Sequence, residues 1–509
     1  MQRSRPRLRL RLLSGAPLRA GRVRELAALV GLFLAALTLR LVARITYDED
    51  IDALRFALGV ERFDVTELRP HAPFYPVYVA AAKIVALGSS PRTALGIVNA
   101  VAGSVVVVAI ALLAREVIGR RGAMIAGALA LASPFLWLTS QKLLSDMAGT
   151  AFTTVAIWMC VRARASLHDA HAPSRAARWR TAALITLGIG LGVRLSYFPI
   201  ALACLGVVVW QERLGWRGFL ARARDLAAGV MLWLIPLVII AGPRPLVAVL
   251  WVQGVGHFTR WGGSAITVPS PLDRLHGIAW GAWANVLGGA WLDAPPLRWI
   301  AAPILAALVI AAATRVRGLS RRQPELAAAA AAYFLWAALG QNIAYKPRHL
   351  LPLAPLMIVA LAAVADRIVA RYRPAIAAVA LLVVQWLVDG AALVRAHLDP
   401  SPAAAIVLHL RHTCGARPVL TRELGRMIAE GAPACSIAQP RDEAELLRAV
   451  LAAKTEGTLI TSEALPVAAR RELITRGYTL RVAFTRPRSR YVDSLWHELA
   501  LLEVSPQPP

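Results

Sequence analysis

The tetrapeptide Tyr47-Asp48-Glu49-Asp50 follows directly on the first apolar segment of the chain. Seven acids crowd the stretch between Thr46 and Pro73: Asp48, Glu49, Asp50, Asp52, Glu61, Asp64 and Glu67. Only Arg55, Arg62 and Arg69 offset them there, in a chain of 509 residues whose formal net charge is +27. Carboxylates placed where a chain leaves a bilayer are held near its surface. There a carboxylate can take a proton from a hydroxyl or bind a metal, facing a substrate that is itself anchored in lipid. The plainer reading is a solvated acidic loop, the commoner fate of a charge run.

Three further stretches carry groups of the complementary kind: His71-Ala72-Pro73-Phe74-Tyr75, His257-Phe258-Thr259-Arg260-Trp261 and Tyr345-Lys346-Pro347-Arg348-His349. Asp146 opens a later apolar run. Lys and Arg neutralise a phosphate while a carboxylate serves an incoming nucleophile, so the set suits a lipid-linked phosphate. Each residue also has a structural alternative. His71 can cap or pack a helix at the interface, and His257 and Arg260 can anchor one. Lys346 and Arg348 can simply flank a span, and Asp146 can pair with Lys142 one turn away.

The elements that must position these residues are helices in a membrane. Hydrophobic residues make up 57% of the chain and the mean hydropathy is +0.55, well above soluble domains of this size. The arginines sit in short clusters between apolar runs, the positive-inside pattern, and are not spread as a nucleic-acid footprint. Residues 1–25 hold eight arginines before Glu25 and read as a basic cytoplasmic N-terminus of a retained signal anchor. The first span, Leu26–Ile45, then runs outward, with Arg40 and Arg44 on one face and expected to snorkel to the outer surface. This places loop 46–73 on the extracytoplasmic side.

Residues 26–395 read as a transmembrane domain of about eleven spans. Pro73–Gly88 is too short to cross and lies along or re-enters the interface. Ala182–Val193 and Ser196–Trp210 form a hairpin broken by Gly192, Arg194 and Pro199. Gly242–Trp291 is a long extracytoplasmic stretch with one interfacial helix. From His397 onward the chain carries 14 Lys/Arg and 12 Asp/Glu and no spanning run. Residues 396–509 therefore read as a small extracytoplasmic α/β domain, with strands at Pro418–Leu420, Thr458–Thr461 and Thr479–Phe484. Cys414 and Cys435 can pair there in an oxidising compartment, whereas Cys160 and Cys204 read as core residues. No cysteine spacing marks a zinc site and no glycine-rich phosphate loop precedes a helix.

The order of one span, a loop with an Asp-Glu pair, then His-x-Pro-aromatic-Tyr is similar to the GT-C membrane glycosyltransferases. It most resembles the protein O-mannosyltransferase and lipid A aminoarabinose transferase superfamily. The resemblance runs over Leu26–Val364 and is best over Asp48–Val161. It implies a polyprenyl-phosphate sugar as donor and an acid of the first loop as catalytic base. On that resemblance Asp48 matches the catalytic acid, with Glu49 following it, and Arg55 falls near a basic position. His71 stands where the family has Lys or His before a proline pair, and Asp146 matches the acid opening a later span. His257 and Arg260 resemble donor-phosphate contacts, as do Tyr345, Lys346 and Arg348 just before Leu350-Leu351-Pro352. Two departures matter. Ala72 replaces the first proline, and Asp50 follows Asp-Glu directly. The second leaves open which carboxylate is the base and whether Asp48, Asp50 and Asp146 hold a divalent metal.

The expectation is a polytopic α-helical membrane protein of GT-C type in the inner or plasma membrane. It is expected to act as an inverting glycosyltransferase, with membrane lipid and a polyprenyl-phosphate sugar as partners and no nucleic acid. Sugar and acceptor (lipid, protein or envelope glycan) are unread. A transporter or flippase of a lipid-linked or small anionic substrate is the alternative. It should place ionisable groups deep within spans, where only Asp389 comes near. A silent scaffold using the C-terminal domain to bind partners is the third reading.

Overall fold

A computed structural model describes residues 16–167, 173–268, 270–315, 318, 321–343, 345–415, 417–452 and 457–507. Most of the basic N-terminus lies outside them. Six segments are long and apolar enough to cross a membrane by length and composition: Val23–Val42, Pro91–Ile118, Trp216–Ala241, Pro296–Ala313, Pro347–Arg371 and Arg373–Thr413. Six segments among the described residues meet that criterion, which leaves the expected count of eleven unconfirmed. Pro76–Ala86, Leu195–Gln211 and Pro324–Gly340 are apolar but shorter. Ser133 caps a new helix at Pro134, and Arg194 separates Pro173–Val193 from Phe198–Gln211, where the broken hairpin was expected.

Pro91–Ile118 is the buried centre of the bundle, whereas Trp216–Ala241 turns most of its apolar surface outward. Close approach of Trp216–Ala241 to Pro173–Val193 depends on glycine. A Cβ at Gly188 would lie 2.2 Å from the Leu226 carbonyl oxygen. Arg40 does not snorkel. It is fully buried, donating from Nε to Ser140 Oγ (3.0 Å) and from Nη1 to the Ala36 carbonyl (3.1 Å). The bundle thus spends this arginine on its own packing, since a buried guanidinium must find acceptors.

The acidic loop folds around a helix, Ile51–Glu61. Asp50 is its N-cap, accepting from the Ala53 amide at 2.9 Å, and Asp52 adds charge at the positive end of the helix dipole. One face puts Ala53, Phe56, Ala57 and Val60 into the membrane core. The other puts Leu54 and Leu58 into the core of the C-terminal domain. The helix is therefore clamped between the two halves of the protein, and its polar edge is left to face a cavity.

The C-terminal domain holds a five-stranded sheet of order β2-β1-β3-β5-β4. The strands are β1 (Val419–Leu420), β2 (Ile437–Ala438), β3 (Thr458–Thr461), β4 (Tyr478–Thr485) and β5 (Ala500–Pro506). β1 runs parallel to β2 and β3, and β5 antiparallel to β3 and β4. The sequence reading anticipated β1, β3 and β4 and missed β2 and β5. Cys414 and Cys435 form a disulfide (Cα–Cα 5.7 Å) that ties the end of helix Pro402–Thr413 to β2.

Between β4 and β5 the chain leaves the sheet as a strap that threads the membrane half. Arg488 Nη2 donates to Tyr47 Oη (2.8 Å) and Arg490 Nη2 to Asp293 Oδ1 (2.6 Å). Lys142 Nζ donates to the Val492 carbonyl (3.1 Å), and Ser494 Oγ to the Tyr345 carbonyl (2.7 Å). Arg298, itself buried against Asp389 Oδ2 (Nε, 3.0 Å), lies 4.4 Å from the Tyr491 ring centroid. Asp389 is thus a structural ion-pair partner and not an isolated charge within a span.

Candidate active site

A cavity of about 800 Å³ opens where the first-loop helix, the broken hairpin, the segment 341–349 and the C-terminal domain meet. Its acids are Asp52, Asp146 and Glu423. Its cations are Arg55, Arg194, Lys346, Arg348 and Arg422, joined by His71, His257 and His349. One wall is apolar, with Phe198, Leu250, Phe258 and Trp336. The excess of cations in a partly closed site favours an anion, and the apolar wall favours a hydrocarbon chain beside it.

Asp52 is the acid at the centre of this charge. Arg348 Nη2 donates to its Oδ2 at 3.2 Å, Lys346 Nζ lies 3.7 Å away, and His71 Nδ1 lies 3.8 Å from Oδ1. Burial pushes Asp52 up, but His71 when protonated, and Lys346, Arg348 and Arg55 throughout, more than reverse this and hold the carboxyl below the usual carboxylate range. Arg348 Nη1 also reaches Asp50 Oδ2 at 3.3 Å. Burial and the neighbouring Asp52 together raise Asp50, against the pull of Arg348 and Lys346. Two carboxylates on one guanidinium cannot both be fully compensated, and of the two it is Asp50 that is raised.

His71 is lowered to about 4 by burial, with Asp52 opposing, so it is neutral at ordinary pH. Its Nε2 lies 3.1 Å from Tyr75 Oη. Phe74 and Tyr75 both adopt left-handed backbone conformations, with φ of 72° and 48°. Non-glycine residues there cost about 1 kcal/mol or more each, strain that packed surroundings must hold. On the opposite wall Arg194 Nη2 pairs with Asp146 Oδ1 at 3.0 Å and its Nη1 donates to Ser145 Oγ at 3.1 Å. Asp146 therefore pairs with Arg194 and not with Lys142. His257 Nε2 donates to the Gly340 carbonyl at 3.0 Å.

The structure brings together His71, Asp146, His257, Lys346 and Arg348 from the expected set. Others lie elsewhere. Asp48 is held by Arg92, whose Nε is 3.0 Å from both carboxylate oxygens and whose Nη2 is 2.6 Å from Oδ2. Glu49, 4% exposed, is buried against Lys142 and lies 3.2 Å from His397 Nε2. Burial pushes Glu49 up, yet Lys142 and His397 hold it well below the usual range. Glu49 and Asp50 line a second, small cavity of about 50 Å³ with Lys142, Asn285 and Asp493. Arg260 is exposed and Tyr345 is 51% exposed, and neither lines the large cavity. Asp48, Asp50 and Asp146 each serve a different arginine and are not gathered. Among the described residues no group of three or more His, Cys, Asp or Glu side chains is placed to hold a metal ion.

Sequence reasoning counted Asp52 among the loop acids, Arg194 as a hairpin break and His349 within a candidate stretch, but gave none of them a role in the site, and it did not single out Arg422, Glu423 or Trp496. A signal for the first existed. Asp52 and Arg55 are three apart on an amphipathic helix, hence on one face with Phe56 one position on.

Residues 71–240 match the family model described as dolichyl-phosphate-mannose-protein mannosyltransferase. A search of curated protein sequences found no match. Among solved structures, ArnT from Cupriavidus metallidurans in the apo state aligns with a TM-score of 0.51 at 13% identity, covering 94% of this chain and 98% of that one. The same protein bound to undecaprenyl phosphate aligns with a TM-score of 0.51 at 12% identity, covering 95% and 98%. The apo oligosaccharyltransferase of Archaeoglobus fulgidus aligns with a TM-score of 0.50 at 17% identity, covering 86% of this chain and 69% of that one. The fold is that of the GT-C membrane glycosyltransferases, as the sequence resemblance implied, and the protein is a multi-pass membrane protein.

Proposed function

We propose that the protein is an inverting glycosyltransferase that moves a sugar from a polyprenyl-phosphate donor to an acceptor hydroxyl. The observation that carries this is the cavity itself, in which the Asp52 carboxylate is held low by Lys346, Arg348 and Arg55 beside an apolar wall. In the proposed reaction Asp52 takes the proton of the acceptor hydroxyl as its oxygen bonds to the anomeric carbon. The bond from that carbon to the phosphate oxygen breaks, and polyprenyl phosphate leaves with the electron pair. It needs no acid, because Lys346, Arg348 and Arg55 hold its charge. A single displacement inverts the anomeric centre.

This assignment moves the base from Asp48, which Arg92 holds outside the cavity, to Asp52, four residues on. His71 fixes Tyr75 and the edge of the site, His257 serves the donor side, and Asp146 keeps Arg194 in place. Arg260 and Tyr345 are proposed to meet the donor at the cavity mouth. The Arg348 pair also explains how a depressed acid can act as a base. An incoming phosphate draws Lys346 and Arg348 to itself, which frees Asp52 to bind a proton only when donor is present. The disulfide Cys414–Cys435 supports an extracytoplasmic C-terminal domain, since such bonds persist in oxidising compartments.

The test follows loss of label from radiolabelled polyprenyl-phosphate sugars with purified protein in nanodiscs. Turnover by wild type that disappears in Asp52→Asn while donor binding persists supports the reading. Binding without turnover in wild type, across several sugars, returns the protein to the flippase alternative.

A further inference from the structure

We infer that Arg422, Glu423 and Trp496 of the C-terminal domain form the acceptor wall of the cavity, and that the acceptor they take is the end of a saccharide chain. The inference rests on the transferase reading above.

Arg422 and Glu423 follow β1 in a segment whose backbone is held tightly. The Glu463 carboxylate accepts from Thr421 Oγ1 (2.7 Å), Thr461 Oγ1 (2.9 Å) and the amides of Arg422 (3.3 Å) and Glu423 (3.2 Å). Thr421 Oγ1 in turn accepts from the Leu424 amide (3.1 Å), and Gln439 Nε2 donates to the Arg422 carbonyl (3.0 Å). The side chains of Arg422 and Glu423, by contrast, are exposed on the cavity and have no ion-pair or hydrogen-bond partner among the described residues. A locked backbone carrying two uncommitted charged groups into a cavity is how a binding site is pre-organised. Partial desolvation inside the cavity, Glu463 and Asp52 raise the Glu423 carboxyl, against Lys346 and Arg55.

Trp496, on the strap, lines the same cavity. Asp493 Oδ1 accepts from the amides of Leu495 (3.3 Å) and Trp496 (2.9 Å), which fixes the turn. The indole packs on the domain core and its free part lines the cavity. An aromatic face takes the C–H face of a sugar ring. A guanidinium fork and a carboxylate beside it match neighbouring hydroxyls, which both donate and accept. The two charges cancel, so this wall by itself does not select a phosphorylated acceptor. A serine or threonine side chain would offer one hydroxyl and leave most of the wall unmatched.

The test is an array carrying neutral oligosaccharides, serine- and threonine-containing peptides and phosphorylated lipid headgroups, probed with the full chain in nanodiscs. Wild type should bind a class of neutral oligosaccharides. Trp496→Ala, Glu423→Gln and Arg422→Gln should each weaken that binding at least tenfold, with affinity for undecaprenyl phosphate unchanged. Arg422 is exposed, so its variant keeps the test decisive if Trp496→Ala folds poorly. Binding confined to peptides or phosphorylated headgroups overturns the inference. So does oligosaccharide binding that survives all three substitutions, or its absence from a protein that binds undecaprenyl phosphate. Failure of the transferase reading would show separately, as no turnover of any labelled donor.

Discussion

Arg348 and Asp52 meet at 3.2 Å across 296 residues of sequence. The contact joins the helix after the first span to the segment that opens a late one. It also sets the state of both nearby acids, because the same guanidinium reaches Asp50 at 3.3 Å. A group that binds Arg348 therefore changes how Asp52 holds a proton.

The acids of the first loop should separate by function when changed singly. Asp52→Asn should lower transfer by about 10²–10⁴-fold, the usual contribution of a positioned general base. Donor affinity should shift only a few fold. Asp48→Asn should leave turnover within about tenfold, since Asp48 faces Arg92 and not the cavity. Initial rates of label release from the donor, beside donor binding, compare the two. A larger loss in Asp48→Asn than in Asp52→Asn would return the base to Asp48.

Removing the guanidinium should act first on the donor. Arg348→Gln should weaken undecaprenyl phosphate binding by about 1.5–3 kcal/mol, the scale of a charged hydrogen bond. It should also bring Asp52 back towards an ordinary carboxylate, moving the acid limb of the rate profile to higher pH. Binding measured in nanodiscs and a pH–rate profile report the two effects independently.

Glu49 is predicted to matter for folding. Lys142→Met leaves its carboxylate buried beside His397 alone, and breaking a buried pair from one side costs about 3–5 kcal/mol. Folded yield on size exclusion and thermal unfolding in detergent should both fall. The double variant Lys142→Met/Glu49→Gln should recover part of the loss, which a purely catalytic role for Glu49 would not produce.

His71 sets an acid dependence of stability. Its ordinary value is 6.5 and its folded value about 4, so between them the unfolded chain binds more protons than the folded one. Stability from this group is complete above 6.5 and falls as pH drops towards 4, by about 3 kcal/mol in all. Melting temperatures across that window should fall less steeply in His71→Gln than in wild type.

The disulfide should stabilise the C-terminal domain without directing the chemistry. Cys414 and Cys435 are 21 apart in sequence, and closing such a loop contributes about 3 kcal/mol in the chain-entropy view. The double Ala variant should lose thermal stability while its turnover number at low temperature stays near that of wild type. A collapse of turnover at full folding would give the bond a role in shaping the site.

The sequence by itself determined the class. Apolar runs, arginine clusters and the balanced charge after residue 396 are local properties, so the helical membrane half and the small α/β end were legible, as were three of the five strands. β2 and β5 were missed because a two-residue strand has no period to read and Ala500–Pro506 follows a strap that carries no repeat. The presence of acids in the first loop was legible too. Which of them faces the cavity was not. Asp48, Glu49, Asp50 and Asp52 are near neighbours of one chemical kind, and each is assigned by a cation from a distant element: Arg92, Lys142 or Arg348. The helix from Ile51 turns Asp52 to one side and buries Leu54 and Leu58 in a domain more than 300 residues downstream. A carboxylate's partner and exposure are products of such long-range packing, and only the tertiary structure decides them.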